Sequence, residues 1–185
     1  MDRRPRNPKP LDASRLEEMA LAYVARFATT RAKLEAYLAR KLRERGWADE
    51  GAPPVAALLE RFVAAGYVDD AAWAQARSGS LLRRGYGARR VTEALGAAGI
   101  GDDLRQALRP GEGAQRKAAL AMARKRRFGP FGTELPDRAR REKQLAAMLR
   151  AGHPLDSARE LVNAASTEAA EAWAAQASEG DDACD

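Results

Sequence analysis

Apolar residues return at three- and four-residue intervals along most of this chain, the spacing that gathers them on one face of an α-helix. Leu16, Met19, Ala20, Tyr23, Val24 and Phe27 form the first such series. Ser14 and Glu17 stand before it in the S-x-x-E order, by which a hydroxyl and a carboxylate satisfy the free amides of a helix start. Thr29 and Thr30 restart the chain for a second helix, striped by Leu34, Tyr37, Leu38 and Leu42 and stopped at Gly46. Pro53 and Pro54 suit the entrance of a third, where a missing amide costs nothing. Val55, Leu58, Leu59, Phe62 and Val63 line that helix until Gly66.

The pattern then comes round twice more. Asp69-Asp70 opens a helix running through Trp73, Leu81 and Leu82 to Gly85; a second carries Val91, Leu95 and Ala98; a short third runs from Asp102 to Leu108, closed by Pro110-Gly111. The last round starts near Glu112 with Ala118, Ala119, Met122 and Ala123 and is interrupted by Phe128-Gly129-Pro130-Phe131-Gly132. It resumes through Leu145, Met148 and Leu149, then Leu155, Ala158, Leu161 and Val162. Gly46, Gly99 and Gly152 each end a helix, and they stand 53 residues apart. Glycine takes the left-handed conformation that stops a helix, so three stops in register point to a triplicated helical unit. Alternating β-branched runs are absent. The predicted fold class is all-α: three tandem three-helix, helix-turn-helix-like repeats in an elongated protein. The repeats span 14–68, 69–110 and 111–165, between a disordered basic, proline-rich arm at 1–13 and a partly disordered acidic, alanine-rich tail at 166–185.

Composition narrows the class. With 185 residues, 45% of them hydrophobic and 31% charged, the chain can bury a core beneath a heavily charged surface. No run approaches the roughly 20 apolar residues of a membrane helix, and the N-terminus lacks the apolar stretch of a secretory signal. A cytoplasmic protein without membrane contact is expected. Cys184 is the single cysteine, which rules out an internal disulfide and speaks against a thiolate zinc site.

Charge is unevenly spread. The net charge is +6, yet the six acids from Glu168 to Asp185 have no Lys or Arg among them, so residues 1–165 carry +12. Residues 116–150 hold eleven basic residues against three acids, a balance that suits a polyanion or an acidic protein surface. A solvated helix face is the plainer explanation, weakened because basic residues recur in all three repeats. Arg31 and Lys33, Arg89 and Arg90, and Arg140, Arg141 and Lys143 open the second helix of each repeat in turn. A helix that begins with basic side chains can meet a nucleic-acid backbone as helix-turn-helix proteins do. Arg83 and Arg84 precede the turn Gly85-Tyr86-Gly87, where a solvent-facing ring is plausible. Tyr23, Phe27, Trp47, Phe62, Tyr67 and Trp73 fall at helix-spaced or junction positions and are expected to pack, not to stack on bases.

Enzyme chemistry finds little to work with. His153 is the only histidine and reads as a residue of the joint between repeats, with no nucleophile, base or second ligand near it in pattern. Neither a phosphate loop nor a dinucleotide fingerprint is present, and no cofactor is expected. Asp69-Asp70 and Asp102-Asp103 could hold Mg²⁺, but each stands where a helix start attracts negative charge.

The segment Gly66-Tyr67-Val68-Asp69-Asp70-Ala71-Ala72-Trp73-Ala74, with Arg84 to Val91 and Leu95 to Ile100, resembles the central signature of the RecX family of recombinase regulators. Ala22-Tyr23-Val24 and Thr30 to Leu34 resemble that family's opening repeat, and Arg138 to His153 its third, so the resemblance covers residues 14–165. It implies a curved array of three-helix repeats that binds the RecA recombinase and modulates, mainly inhibits, its filament on single-stranded DNA. The expected setting is homologous recombination, DNA repair and the SOS response. Expected partners are the RecA filament and single- and double-stranded DNA, the latter two bound weakly and without sequence preference by a monomer. The RecA- and DNA-binding candidates are Arg31, Lys33, Arg83, Arg84, Tyr86, Arg89, Arg90, Arg140, Arg141 and Lys143. The departures are an extra helical turn before Gly46, His153 where an aromatic often follows the third glycine, and the Phe128–Gly132 loop. A stand-alone helix-turn-helix DNA-binding regulator is the alternative.

Overall fold

Ten α-helices and one 3₁₀ turn account for most of residues 9–177, which the computed structural model describes. Their order is α1 (Ala13–Arg26), α2 (Arg31–Arg45), α3 (Val55–Ala64), α4 (Asp70–Arg83), α5 (Ala88–Gly96), α6 (Asp102–Ala107), α7 (Glu112–Arg126), the 3₁₀ turn Gly129–Phe131, α8 (Arg138–Arg150), α9 (Leu155–Asn163) and α10 (Thr167–Gln176). Among the described residues the only β pairing is one parallel bridge between Leu11 and Trp47. The chain divides into two units: residues 1–73 with 98–100, and residues 74–97 with 101–185. The second predicted repeat is thus shared between two units.

In the first unit the helical stripes of α1, α2 and α3 meet in a core of Leu16, Ala20, Leu34, Leu38, Leu58, Leu59, Phe62 and Val68. Leu11 joins it, fully buried, through hydrogen bonds from its amide to the Gly46 carbonyl (3.0 Å) and from the Ala48 amide to its own carbonyl (2.8 Å). Leu11, placed in the predicted disordered arm, is thus ordered, and the arm's first eight residues lie outside the described residues. The start of α1 also differs from prediction. Asp12, not Ser14, caps the helix, its carboxylate accepting from the Arg15 amide. Both residues suit a cap, and the pairing of Leu11 with the Gly46–Ala48 strand of chain fixes the entry two residues early. Thr30 caps α2 as expected, accepting from the Lys33 amide.

The second unit is built around α7, whose small residues Ala119 and Ala123 let α9 and α10 approach closely. Met122, Met148, Ala158, Leu161, Val162, Ala170 and Ala174 complete this core. α10 falls where an acidic tail was predicted from residue 166. Ser166 caps it, Arg116 donates to the Trp173 carbonyl (2.9 Å) with its guanidinium 4.8 Å from the Trp173 ring, and Arg124 pairs with Glu171. Residues 178–185 of that tail, Cys184 included, lie outside the described residues.

Candidate functional site

The helix-stopping glycines position the candidate residues. Gly99 (φ +80°) lies against α2 in the first unit, where a Cβ on it would strike the Cβ of Ala32. Beside it, the Thr30 hydroxyl donates to the Ala98 carbonyl at 2.6 Å and Ile100 is buried. In the second unit the stop at Gly152 (φ +94°) seats on the first turn of α5 in the same way. A Cβ there would meet the Arg90 amide nitrogen, and one on Gly87 would collide with the Gly152 carbonyl. The Gly87 amide donates to the Ala151 carbonyl (2.9 Å) and the Arg89 amide to the Gly152 carbonyl (3.3 Å). Bare backbone meets bare backbone at this joint, which only glycine permits.

His153 locks it. The imidazole is buried, and Nε2–H donates to the Gly85 carbonyl at 3.0 Å, while Nδ1 has no partner among the described residues. Burial holds its pKa below the ordinary histidine value, the Gly85 carbonyl opposing that shift. A neutral ring with a bare Nδ1 is the form the site accepts. The sequence reading of His153 as a joint residue matches this placement.

The candidate cations divide by occupation. Arg89 is engaged in the joint, donating to the Leu149 carbonyl at the end of α8 (2.7 Å) and to Glu93 (2.5 Å). Arg90 also reaches Glu93 at 3.2 Å. Arg31 pairs with Glu60 (2.6 Å), while its amide is held by Asp70 (2.8 Å), and the Lys33 ammonium lies 4.2 Å from the centre of the Trp73 ring. Arg140 stands 3.8 Å from Glu134, and Arg141 and Lys143 are exposed on the opening turns of α8. Arg83 and Arg84 are exposed at the end of α4, and the Arg84 guanidinium sits 5.5 Å from the half-buried Tyr86 ring. The Asp pairs serve helix starts: Asp69 accepts from the Ala72 amide (2.8 Å), Asp70 from Arg31, and Asp102 pairs with Arg105.

What the fold brings together is the turn of Arg84 and Tyr86 with the last turn of α7. Arg84, Gly85, Tyr86, Met122, Lys125, Arg126 and Ala151 line one cleft of about 90 Å³. That is room for several water molecules or a small anion. Gly85 (φ +85°) makes the approach possible, because a Cβ there would press on the Met122 backbone. Lys125 and Arg126 were absent from the sequence candidates. Their signal was present in the basic run from 116 to 150, but a basic last turn also complements the helix dipole, and only the fold places these two beside Arg84. A larger cleft of about 670 Å³ lies on the other side of the joint, where Arg89, Arg105 and Arg109 are interspersed with Glu93, Asp102 and Asp103. Its charges balance, so it offers no field of one sign. Among the described residues no three His, Cys, Asp or Glu side chains converge as metal ligands would, and no helix is long and apolar enough to cross a membrane.

Two sets of known proteins resemble this chain, though no protein-family model matches it. The regulatory protein RecX of Myxococcus xanthus is 31% identical over 174 residues, 88% of this chain and 91% of its own length. RecX of a Mycobacterium species is 40% identical over 99 residues, about half of each protein. The crystal structure of Lactobacillus salivarius RecX superposes with a TM-score of 0.64 at 17% identity, covering 81% of this chain and 94% of that one. A second crystal structure of regulatory protein RecX gives 0.62 at 20% identity, covering 81% and 70%. All-helical fold and sequence agree, and the chain belongs to the RecX family of regulatory proteins.

Proposed function

We propose that this protein binds RecA and its nucleoprotein filament and inhibits RecA ATP hydrolysis and strand exchange, touching DNA weakly and without reading bases. The observation that carries the reading is the basic cleft of Arg84, Tyr86, Lys125 and Arg126, set on the turn that packs closely at the glycine joint. A phosphate or an acidic side chain of the filament fits its charge and size. Arg83, Arg140, Arg141 and Lys143 in the same unit, and Arg31 and Lys33 in the other, supply further contacts. Arg89 contributes by shaping the joint, since its guanidinium donates to the Leu149 carbonyl, while the exposed pair of Arg90 with Glu93 leaves Arg90 open to a partner. The helix order α1–α3, α4–α6 and α7–α9, with two stop glycines seated alike, supports three tandem repeats. Repeated weak contacts on a periodic target add through effective concentration.

The test is RecA ATPase on single-stranded DNA with the protein titrated at substoichiometric ratios. Wild type should inhibit, and Arg84→Glu with Lys125→Glu should inhibit much less at unchanged thermal stability. Tight binding to one duplex sequence without RecA, with no effect on the ATPase, would replace this reading with a stand-alone DNA-binding regulator.

A further inference from the structure

The first unit carries a row of aromatic rings at the margin of its core: Tyr23 and Tyr37 pack against it, and Phe27 lies beyond it. Tyr23 of α1 and Tyr37 of α2 stack with centroids 4.3 Å apart and planes 21° from parallel. Phe27 extends the row, its ring 5.4 Å from Tyr23 at 52°, and it is 49% exposed although the sequence pattern assigned it to packing. Tyr23 and Tyr37 are half-buried. The row is flanked by cations: the Arg26 guanidinium lies 5.4 Å from the Phe27 centroid and that of Arg40 5.7 Å from the Tyr37 centroid. Arg40 also meets Glu44 at 3.7 Å, a long exposed pair that Lys41 shares at 2.6 Å and that holds Arg40 only weakly.

A lone exposed Phe needs no explanation. Three adjoining rings edged by guanidiniums are different, because they combine π faces, which every base can stack upon, with positive charge for the intervening phosphates. We propose that this row is a stacking platform for single-stranded nucleic acid, with bases laid on Phe27 and on the Tyr37–Arg40 edge and phosphates met by Arg26 and Arg40. Duplex DNA does not suit it, since its bases are already stacked on each other. The platform rests on the DNA half of the function proposed above and is independent of the basic cleft.

The test measures the full-length chain binding a fluorescein-labelled thirty-residue oligo(dT) by anisotropy over a range of salt, without RecA. Phe27→Ala should weaken binding roughly 5- to 100-fold with an unchanged salt slope, because a ring releases no counterions. Arg26→Gln should flatten the log-log slope by about 0.7. Phe27→Trp should restore affinity, and its added emission should be quenched by the oligonucleotide. Wild-type affinity of Phe27→Ala for oligo(dT), or an equal loss on a blunt duplex, would overturn the platform. So would a variant that keeps DNA affinity yet no longer binds RecA free of DNA, since that outcome assigns the face to protein. If Arg84→Glu with Lys125→Glu still inhibits RecA while Phe27→Ala loses oligo(dT), only the cleft reading fails.

Discussion

At Gly87 a single methyl group is enough to separate two turns that must touch. Its φ of −80° suits any residue, so the constraint is space alone, set by the Gly152 carbonyl and the His153 amide. Gly87→Ala should therefore cost about 1–3 kcal/mol in urea unfolding, the usual range for overfilling a packed site. Gly101→Ser is the matching control: that residue has φ −63° and open space around it, and serine is the better cap for α6, so stability should hold or rise slightly. His153 gives the joint a pH dependence of known sign. Its folded pKa is lowered, so its stabilising contribution is complete above the unfolded value near 6.5 and is lost as the pH falls below it. The slope from this one site cannot exceed about 1.4 kcal/mol per pH unit. His153→Gln keeps a donor for the Gly85 carbonyl but cannot titrate. Urea unfolding at pH 7.5 and 5.5 should show wild type losing more stability than this variant.

Among the elements, α10 separates what composition suggests from what packing requires. Six acids and no bases after residue 165 read as a solvated tail, but Ala170, Ala174 and Trp173 lie against the second core. Ending the chain at Ala165 should cost on the order of 3 kcal/mol or unfold the second unit, as seen by circular dichroism and urea titration. Ending it at Ala177 removes Glu179, Asp181, Asp182 and Asp185 and leaves α10 whole; that form should keep its stability and bind DNA more tightly. Most of the helices α1 to α9 were legible because a 3.6-residue stripe meets a local stop or start, such as Thr30 or Gly46; the short α6 was marked only by its acidic start and the Pro110-Gly111 stop. Pairings distant in sequence were not. Nothing local announces that Leu11 lies beside Trp47, that Arg89 reaches the Leu149 carbonyl, or that Lys125 and Arg126 share a cleft with Arg84. Phe27 and Tyr67 touch Tyr23 and Phe62, but their exposure was not legible, for the same reason. Periodicity gives the face a residue occupies, but not whether another element covers it, and both prove exposed.

For the molecule as a whole, salt separates contact with phosphate from contact with protein. Affinity for bare single-stranded DNA should fall with a log-log slope near −0.7 per phosphate neutralised, and four to six contacts would lose on the order of ten- to several-hundredfold between 50 and 200 mM salt. Binding to a preformed RecA filament, measured by co-sedimentation, should decline less steeply over that range, because protein surface shares the interface. A curve as steep as that for bare DNA would mean that phosphate alone holds the protein there. The tripeptide Ala98–Ile100 has a consequence for synthesis and for fragmentation. It completes the first unit, yet follows 24 residues that belong to the second. As the chain leaves the ribosome, the buried Thr30 hydroxyl waits for a carbonyl 68 residues downstream, and no single peptide-bond cut releases both units intact.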